Sequence, residues 1–127
     1  MAQKSHPGSC LCGAITFDVK GDMRPVVACH CGQCRKTSGH FWAATQVDDA
    51  QLHLKSDDTL RWYRSSGTAK RAFCTACGSS LFWKMDGEDK VSIGAGSLET
   101  TGLETAKHIY TSDKGDYYEI ADGLPQL

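Results

Sequence analysis

The feature that most constrains this chain is its set of seven cysteines. They form a central triplet and two flanking pairs: Cys29, Cys31 and Cys34; Cys10 and Cys12; Cys74 and Cys77. An odd number of cysteines cannot close into a complete disulfide framework, and reducing compartments keep thiols free to bind metal. The clustering therefore predicts a metal-binding protein of the cytoplasm.

The spacing of these cysteines is typical of zinc knuckles. Zinc binds thiolates at roughly 2.3 Å in a tetrahedron, so the ligand sulfur atoms must lie within about 4 Å of one another. A glycine directly follows Cys12, Cys31 and Cys77. Because glycine readily adopts positive φ, the chain can turn at these positions and bring backbone N–H groups toward the sulfur atoms.

The seven cysteines divide into two predicted zinc sites. The first, here called the quartet, consists of Cys10, Cys12, Cys74 and Cys77. The second, here called the triplet, consists of Cys29, Cys31 and Cys34. Four thiolates form a closed structural site, whereas three protein ligands leave one position for water or substrate. We therefore predict two zinc ions per chain, a structural one at the quartet and one in an open site at the triplet.

The charge of the triplet site limits its chemistry. Three thiolates around Zn²⁺ carry one net negative charge, which makes the site a poor generator of hydroxide. Such a site is better suited to hold a substrate thiol as a nucleophilic thiolate. Arg35 and Lys36 follow the triplet directly and are the predicted cations that bind substrate carboxylates or offset the charge. The alternative is that they form a solvated basic pair on a turn.

Two other interpretations of the triplet stay open. In the first, a histidine completes a second structural zinc site. The candidate histidines are His30, His40, His53 and His108. In the second, Cys31 and Cys34 form a thioredoxin-like redox pair, although no βαβ pattern surrounds them. We expect His108 itself to be a hydrogen-bonded strand histidine without a catalytic role.

Composition and charge exclude several classes of function. A net charge of −1 and a pI near 6.5 provide no electrostatic basis for binding nucleic acid or an anionic membrane. The chain has no long apolar run, and its first seven residues are too short and polar for a signal peptide. We expect residues 1–127 to form a single domain, with residues 1–7 as a mobile lead-in.

Short alternating runs predict a mainly β fold of short antiparallel sheets with little or no helix. The candidate strands are 14–19, 25–28, 41–47, 52–54, 60–64, 69–73, 80–85, 91–95, 107–110 and 117–120. The run 41–47 is mostly apolar and is therefore predicted to be central, and 32–39 can hold a single helical turn. Trp42 and Trp83 are predicted to lie in the core or on the sheet surface.

Three motifs resemble the glutathione-dependent formaldehyde-activating enzyme family, also called the CENP-V/GFA domain. They are GSCLCGA at 8–14, CHCGQCRKTSG at 29–39 and FCTACG at 73–78. Shorter matches at 96–98, 108–110 and 120–125 extend the resemblance over nearly the whole chain. Family members often carry Lys-Ala-Pro-Trp where this chain has KGDY at 114–117, a difference that bears on substrate choice if the segment borders the pocket.

The resemblance implies a β-tent fold of the Mss-four-like type, with its short sheets held by zinc knuckles. It implies a structural zinc at the quartet and a catalytic zinc at the triplet. The implied activity is that of a carbon–sulfur lyase or synthase, which condenses glutathione with formaldehyde to S-(hydroxymethyl)glutathione or runs the reverse reaction. Its partners would be a small thiol and an aldehyde. The alternative is a zinc-stabilised binding module without catalytic turnover.

Overall fold

The computed structural model describes residues 4–127, which form ten strands and one α-helix. The strands are β1 Ser5–Ser9, β2 Thr16–Lys20, β3 Val26–Cys29, β4 Trp42–Asp48, β5 Leu52–Ser56, β6 Leu60–Arg64, β7 Ala69–Cys74, β8 Ser80–Met85, β9 Lys90–Gly94 and β10 Thr105–Ile109. The helix α1 covers Gly32–Ser38, and short 3-10 helices cover Asp49–Gln51, Ala95–Ser97 and Thr111–Asp113. The prediction of a mainly β fold is confirmed.

The described strands form two sheets. The larger has seven strands in the order β10-β3-β4-β9-β8-β7-β6, and the smaller has the order β1-β2-β5. Within residues 4–127 every pair of neighbouring strands is antiparallel except β10 and β3, which run parallel. The last strand, β10, forms one edge of the larger sheet beside β3. Strand β4 is interior, as predicted.

Residues 5–9 differ from the sequence-based expectation. Residues 1–3 of the expected lead-in lie outside the described residues, but Ser5–Ser9 form strand β1 and pair antiparallel with β2. The expected mobile lead-in is therefore wrong from Ser5 onward. Pro7 hides the strand in the sequence, and it is tolerated because β1 lies at the edge of its sheet.

Two further elements differ from expectation. Helix α1 has seven residues, or about two turns, where a single turn was predicted. The sulfur of Cys31 caps its first turn by accepting from the Cys34 N–H, and Gly39 ends the helix in the left-handed region with φ 85°. The strand predicted at 117–120 is wrong, since these residues have no strand structure.

The main core lies between the two sheets. Phe17 of the smaller sheet meets Phe82 of the larger sheet edge to face, with 5.2 Å between the ring centroids. Ile15, Leu81 and Ile93 are also fully buried in this cluster. Because side chains alternate along a strand, the other residues of the larger sheet point to its opposite face, where the candidate site lies. No helix within residues 4–127 is long and apolar enough to cross a membrane.

Candidate metal centre

The structure brings the four quartet thiols together, with their sulfur atoms all within 4.8 Å of one another. The Cys10 and Cys12 sulfur atoms are 3.6 Å apart, and those of Cys12 and Cys74 are 3.8 Å apart. Zinc–sulfur bonds of roughly 2.3 Å in a tetrahedron place ligand sulfur atoms about 3.8 Å apart. Cys10 follows β1 and Cys74 ends β7, so an ion bound here joins the smaller sheet to the larger one.

Hydrogen bonds to the sulfur atoms of Cys74 and Cys77 favour the thiolate form of these two quartet cysteines. By contrast, the pKa of Cys12 is raised to about 11, because the lowering by the Ala14 backbone is outweighed by the thiol of Cys10 and by burial. The hydroxyl and backbone of Ser79 lower the pKa of Cys77 to about 5. The hydroxyl of Thr59 lies 3.3 Å from the Cys74 sulfur and lowers the pKa of that thiol. Thiolates are the ligands that zinc requires, so these donors prepare the quartet for a cation.

The structure also brings the three triplet thiols together, again with all sulfur atoms within 4.8 Å of one another. Cys29 ends β3, Cys31 caps α1, and Cys34 lies in the first turn of that helix. The Cys34 N–H donates to the Cys31 sulfur over 3.3 Å, so the local helix geometry holds the second and third thiols in place. No His, Asp or Glu of residues 4–127 places a ligand atom within the same distance of all three sulfur atoms.

None of the four candidate histidines completes the triplet: three hydrogen-bond other side chains, and His53 is exposed. His30 and His108 hydrogen-bond each other over 2.9 Å. His40 bonds the hydroxyl of Tyr117 over 2.7 Å, and His53 is exposed on β5 in the smaller sheet. The prediction that His108 is a hydrogen-bonded strand histidine is confirmed, because it lies on β10 with both ring nitrogens bonded.

A cavity of about 670 Å³ opens beside the triplet on the face of the larger sheet opposite the main core. This volume is in the range typical of small-molecule sites. The cavity is lined by all three triplet cysteines. Trp42 and Trp83 form apolar parts of the cavity wall. The same two side chains pack in a small buried cluster with Cys34 and Ala44. Arg24 and Arg71 contribute positive charge.

Arg71 is the cation that the structure places against the triplet. Its side chain is 4 % exposed, and its Nη2 group lies 3.4 Å from the Cys34 sulfur. Its Nε donates to the Gln33 side chain, and its guanidinium lies over the Trp42 ring at 5.7 Å. None of the ion pairs formed by residues 4–127 includes Arg71. A buried guanidinium without a carboxylate needs another anion, and the triplet thiolates supply it.

The predicted substrate ligands Arg35 and Lys36 lie further along α1. Neither is among the residues that line the cavity. Lys36 is exposed, whereas Arg35 is half-buried and its Nε has no hydrogen-bond partner. Their role in substrate binding stays a prediction. Sequence reasoning missed Arg71 because a basic residue in a strand gives no sign of which face of the sheet it occupies.

The triplet thiols differ in proton affinity. The hydrogen bond from Cys29 lowers the pKa of Cys34 to about 6, and Arg71 contributes in the same direction. The same bond to Cys34, followed by burial, raises the pKa of Cys29. Cys34 therefore carries negative charge more readily than Cys29, and Cys34 is the thiol that Arg71 contacts.

Comparison with known proteins agrees with this arrangement. The family model described as glutathione-dependent formaldehyde-activating enzyme matches residues 5–113. An uncharacterized lyase of Schizosaccharomyces pombe is 28% identical over 122 residues, which cover 92% of this chain and 86% of that protein. The crystal structure of a Rhodobacter sphaeroides protein shares the fold, with a TM-score of 0.65 at 20% identity over 95% of this chain and 99% of that one.

Proposed function

This chain belongs to the glutathione-dependent formaldehyde-activating enzyme family, and from that premise we propose that it is a zinc-dependent carbon–sulfur lyase or synthase. Its substrates would be a small thiol and an aldehyde, or the adduct that the two form. The observation that carries the proposal is the triplet, whose three converging thiols line a cavity beside a buried guanidinium. Glutathione and formaldehyde, which the family description names, are the first substrates to test.

The ligand sets support zinc at both clusters. The quartet would hold a structural ion through four thiolates, and the triplet would hold a catalytic ion through three. Zinc bound at the triplet would lower the pKa of a substrate thiol, so that the thiol is a thiolate at neutral pH.

The chain's own residues would provide charge balance and orientation. A substrate thiolate adds one negative charge to a site that already carries one, and the fixed guanidinium of Arg71 offsets it without reorganisation. The Trp42 ring and the Gln33 side chain hold that guanidinium in place. Arg24 lines the same cavity and offers a second guanidinium to a substrate carboxylate.

The proposed reaction forms one carbon–sulfur bond. The substrate sulfur attacks the carbonyl carbon of the aldehyde, the carbonyl π electrons move to oxygen, and that oxygen takes a proton from solvent. In the reverse direction the hydroxyl loses its proton, the carbon–sulfur bond breaks, and the thiolate and aldehyde separate. The walls formed by Trp42 and Trp83 shield the reacting atoms from bulk water.

Steady-state assays of the zinc-loaded protein with glutathione and several aldehydes test this function. We expect a rate above the uncatalysed background that disappears in Cys29→Ser while the far-ultraviolet circular dichroism spectrum is unchanged. If no thiol and aldehyde pair reacts faster than the background, the proposed activity is wrong. If Cys29→Ser instead unfolds the protein, the binding-module alternative is favoured.

Zinc stoichiometry with and without excess glutathione provides an independent test. We expect two zinc ions per chain, one of which becomes labile or spectroscopically altered when glutathione is added. If the lability and spectra of both zinc ions stay unchanged with every thiol tested, a purely structural role for both ions is favoured. We further propose that the chain acts as one domain in the cytoplasm, where thiols stay reduced.

A further inference from the structure

His30 lies between two triplet cysteines and is fully buried. Its Nδ1 hydrogen-bonds the hydroxyl of Tyr118, and its Nε2 lies 2.9 Å from Nδ1 of His108. His108 in turn places its Nε2 2.7 Å from a carboxylate oxygen of Asp122. These four side chains, Tyr118, His30, His108 and Asp122, are here called the relay. The proposed function leaves the relay without a role.

With both imidazoles neutral, the hydrogen bonds of the relay fit one arrangement of protons. The Asp122 carboxylate accepts from Nε2–H of His108. Nδ1 of His108 then accepts from Nε2–H of His30, and Nδ1 of His30 accepts from the Tyr118 hydroxyl. In this arrangement every ring nitrogen has a partner.

Two members of the relay belong to the segment 114–127, which follows the region matched by the family model. Within this segment the Lys114 ammonium donates to the Tyr118 carbonyl over 2.6 Å. Its far end lies beside β10, where the His108 N–H donates to the Pro125 carbonyl and the Leu127 N–H donates to the His108 carbonyl, both over 2.9 Å. The C-terminal segment is thus bonded to β10, and the ring of His30 is held between Tyr118 of this segment and His108 of β10.

We propose that Tyr118, His108 and Asp122 are positioning residues that act through His30 to hold the triplet in the geometry that retains its metal. His30 cannot turn its ring without breaking a buried hydrogen bond, and its peptide bonds lead directly to Cys29 and Cys31. Its own N–H donates to the Ile109 carbonyl over 3.0 Å, so backbone and side chain are both held. Groups that hydrogen-bond a metal ligand directly typically change metal affinity 10- to 100-fold, as an order of magnitude, and the relay acts on two ligands through the residue between them.

The proposal rests on metal binding at the triplet but not on the thiol–aldehyde reaction. Its test is therefore the rate at which the full chain loses zinc to a chelating dye, which needs no turnover. Zinc release from the two sites should give two kinetic phases. Cys29→Ser should lack the phase that arises from the triplet, and so identifies it. The two proposals can therefore be told apart. The absence of turnover would contradict the proposed function only, and unchanged zinc release in the relay variants would contradict the role of the relay only.

We expect Tyr118→Phe and His108→Leu to speed zinc release from the triplet about tenfold or more, and to change release from the quartet by less than about twofold. His108→Gln should restore slow release in part, since an amide can both accept from His30 and donate to Asp122. Tyr63→Phe is the control, because that hydroxyl is on β6 and outside the relay.

Two results would overturn the proposal. If neither Tyr118→Phe nor His108→Leu changes zinc release from the triplet, the relay does not position that site. If both variants speed release from the triplet and the quartet by the same factor, the relay supports the fold in general. Tyr118→Phe keeps the ring and removes only the hydroxyl, so the test survives even if His108→Leu fails to fold.

Discussion

The guanidinium of Arg71 contacts the Cys34 sulfur, yet three strands, β4, β5 and β6, separate it in sequence from the triplet. In the proposed function, its charge would let the zinc-loaded triplet accept a further thiolate. A hydrogen bond to a charged group contributes about 1.5–3 kcal/mol, which corresponds to roughly ten- to a hundredfold in a rate or binding constant.

We expect Arg71→Met to lower kcat/KM for a thiol and aldehyde pair roughly ten- to a hundredfold. Methionine is an unbranched side chain without charge, so the substitution removes the positive charge beside the triplet. Arg71→Lys should recover part of the loss. The control is Arg64→Met, since Arg64 is exposed and pairs with Asp86 at the surface. Equal activities of the Arg71 and Arg64 variants, with both folded by circular dichroism, would rule out the role assigned to Arg71.

Gly8 marks the closest approach between β1 and its surroundings. A Cβ at this position would lie 2.4 Å from Cζ of Phe17 and 2.9 Å from the backbone oxygen of Ser97. Phe17 is buried in the main core and has little space to move. The glycine is therefore required by packing on both sides of the strand.

Gly8→Ala should lower the free energy of unfolding by about 1–3 kcal/mol, as overpacking in a well-packed region does. Gly67→Ala is the matched control, because a Cβ there meets nothing within 4 Å. Urea unfolding of both variants measures the difference. A Gly8 variant as stable as the Gly67 variant would show that β1 does not pack as described.

At the scale of secondary-structure elements, strand β7 connects the two cysteine clusters. Arg71 points from one face of this strand toward the triplet, and Cys74 at its end belongs to the quartet. Strand β7 is paired on both sides, with β6 and with β8. The quartet therefore anchors the strand that carries the cation of the triplet.

This arrangement predicts different consequences for the two clusters. Cys74→Ser should lower the melting temperature strongly and reduce activity with it, because the quartet joins the two sheets. Cys29→Ser should abolish activity. With zinc bound at the quartet, the melting temperature of this variant should stay close to that of the wild type. Thermal unfolding and turnover, measured on the same samples, distinguish the outcomes. Equal losses of stability in both variants would contradict the division of roles.

At the scale of the whole molecule, the two sheets share a core, and the polypeptide chain links them covalently. The quartet takes its ligands from the turns after β1 and around the end of β7, so a metal there adds a crosslink between the sheets. A ligand that binds only the folded state stabilises it by about 4 kcal/mol at a thousandfold excess over Kd. Much of the stability of this chain should therefore depend on the quartet metal.

Stepwise metal removal checks this dependence. We expect a mild chelator to remove the triplet zinc first, abolishing activity and leaving the melting temperature nearly unchanged. A stronger chelator should then remove the quartet zinc and lower the melting temperature sharply. Zinc content, activity and thermal unfolding at each step provide the measurement. Loss of both ions in a single step that coincides with unfolding would show that the two sites are not independent.

The sequence by itself determined the features that depend on short-range geometry. The grouping of the thiols within the triplet and within each pair of the quartet follows from C-x-C and C-x-x-C spacing, and most strands follow from the alternation of apolar and polar residues. Pro7 and Gly8 concealed strand β1, because local propensity cannot show that an edge position tolerates both residues.

Only the tertiary structure decided which distant groups meet. Alternation along β7 predicts that Arg71 and Cys74 lie on opposite faces, but not that one of those faces borders the triplet. The sequence favoured Arg35 and Lys36 because they are neighbours in the chain, whereas the helix carries them away from the cavity lining. The side-chain partners of His30 come from β10 and from the C-terminal segment for the same reason: they are set by distance in space, which local sequence does not encode.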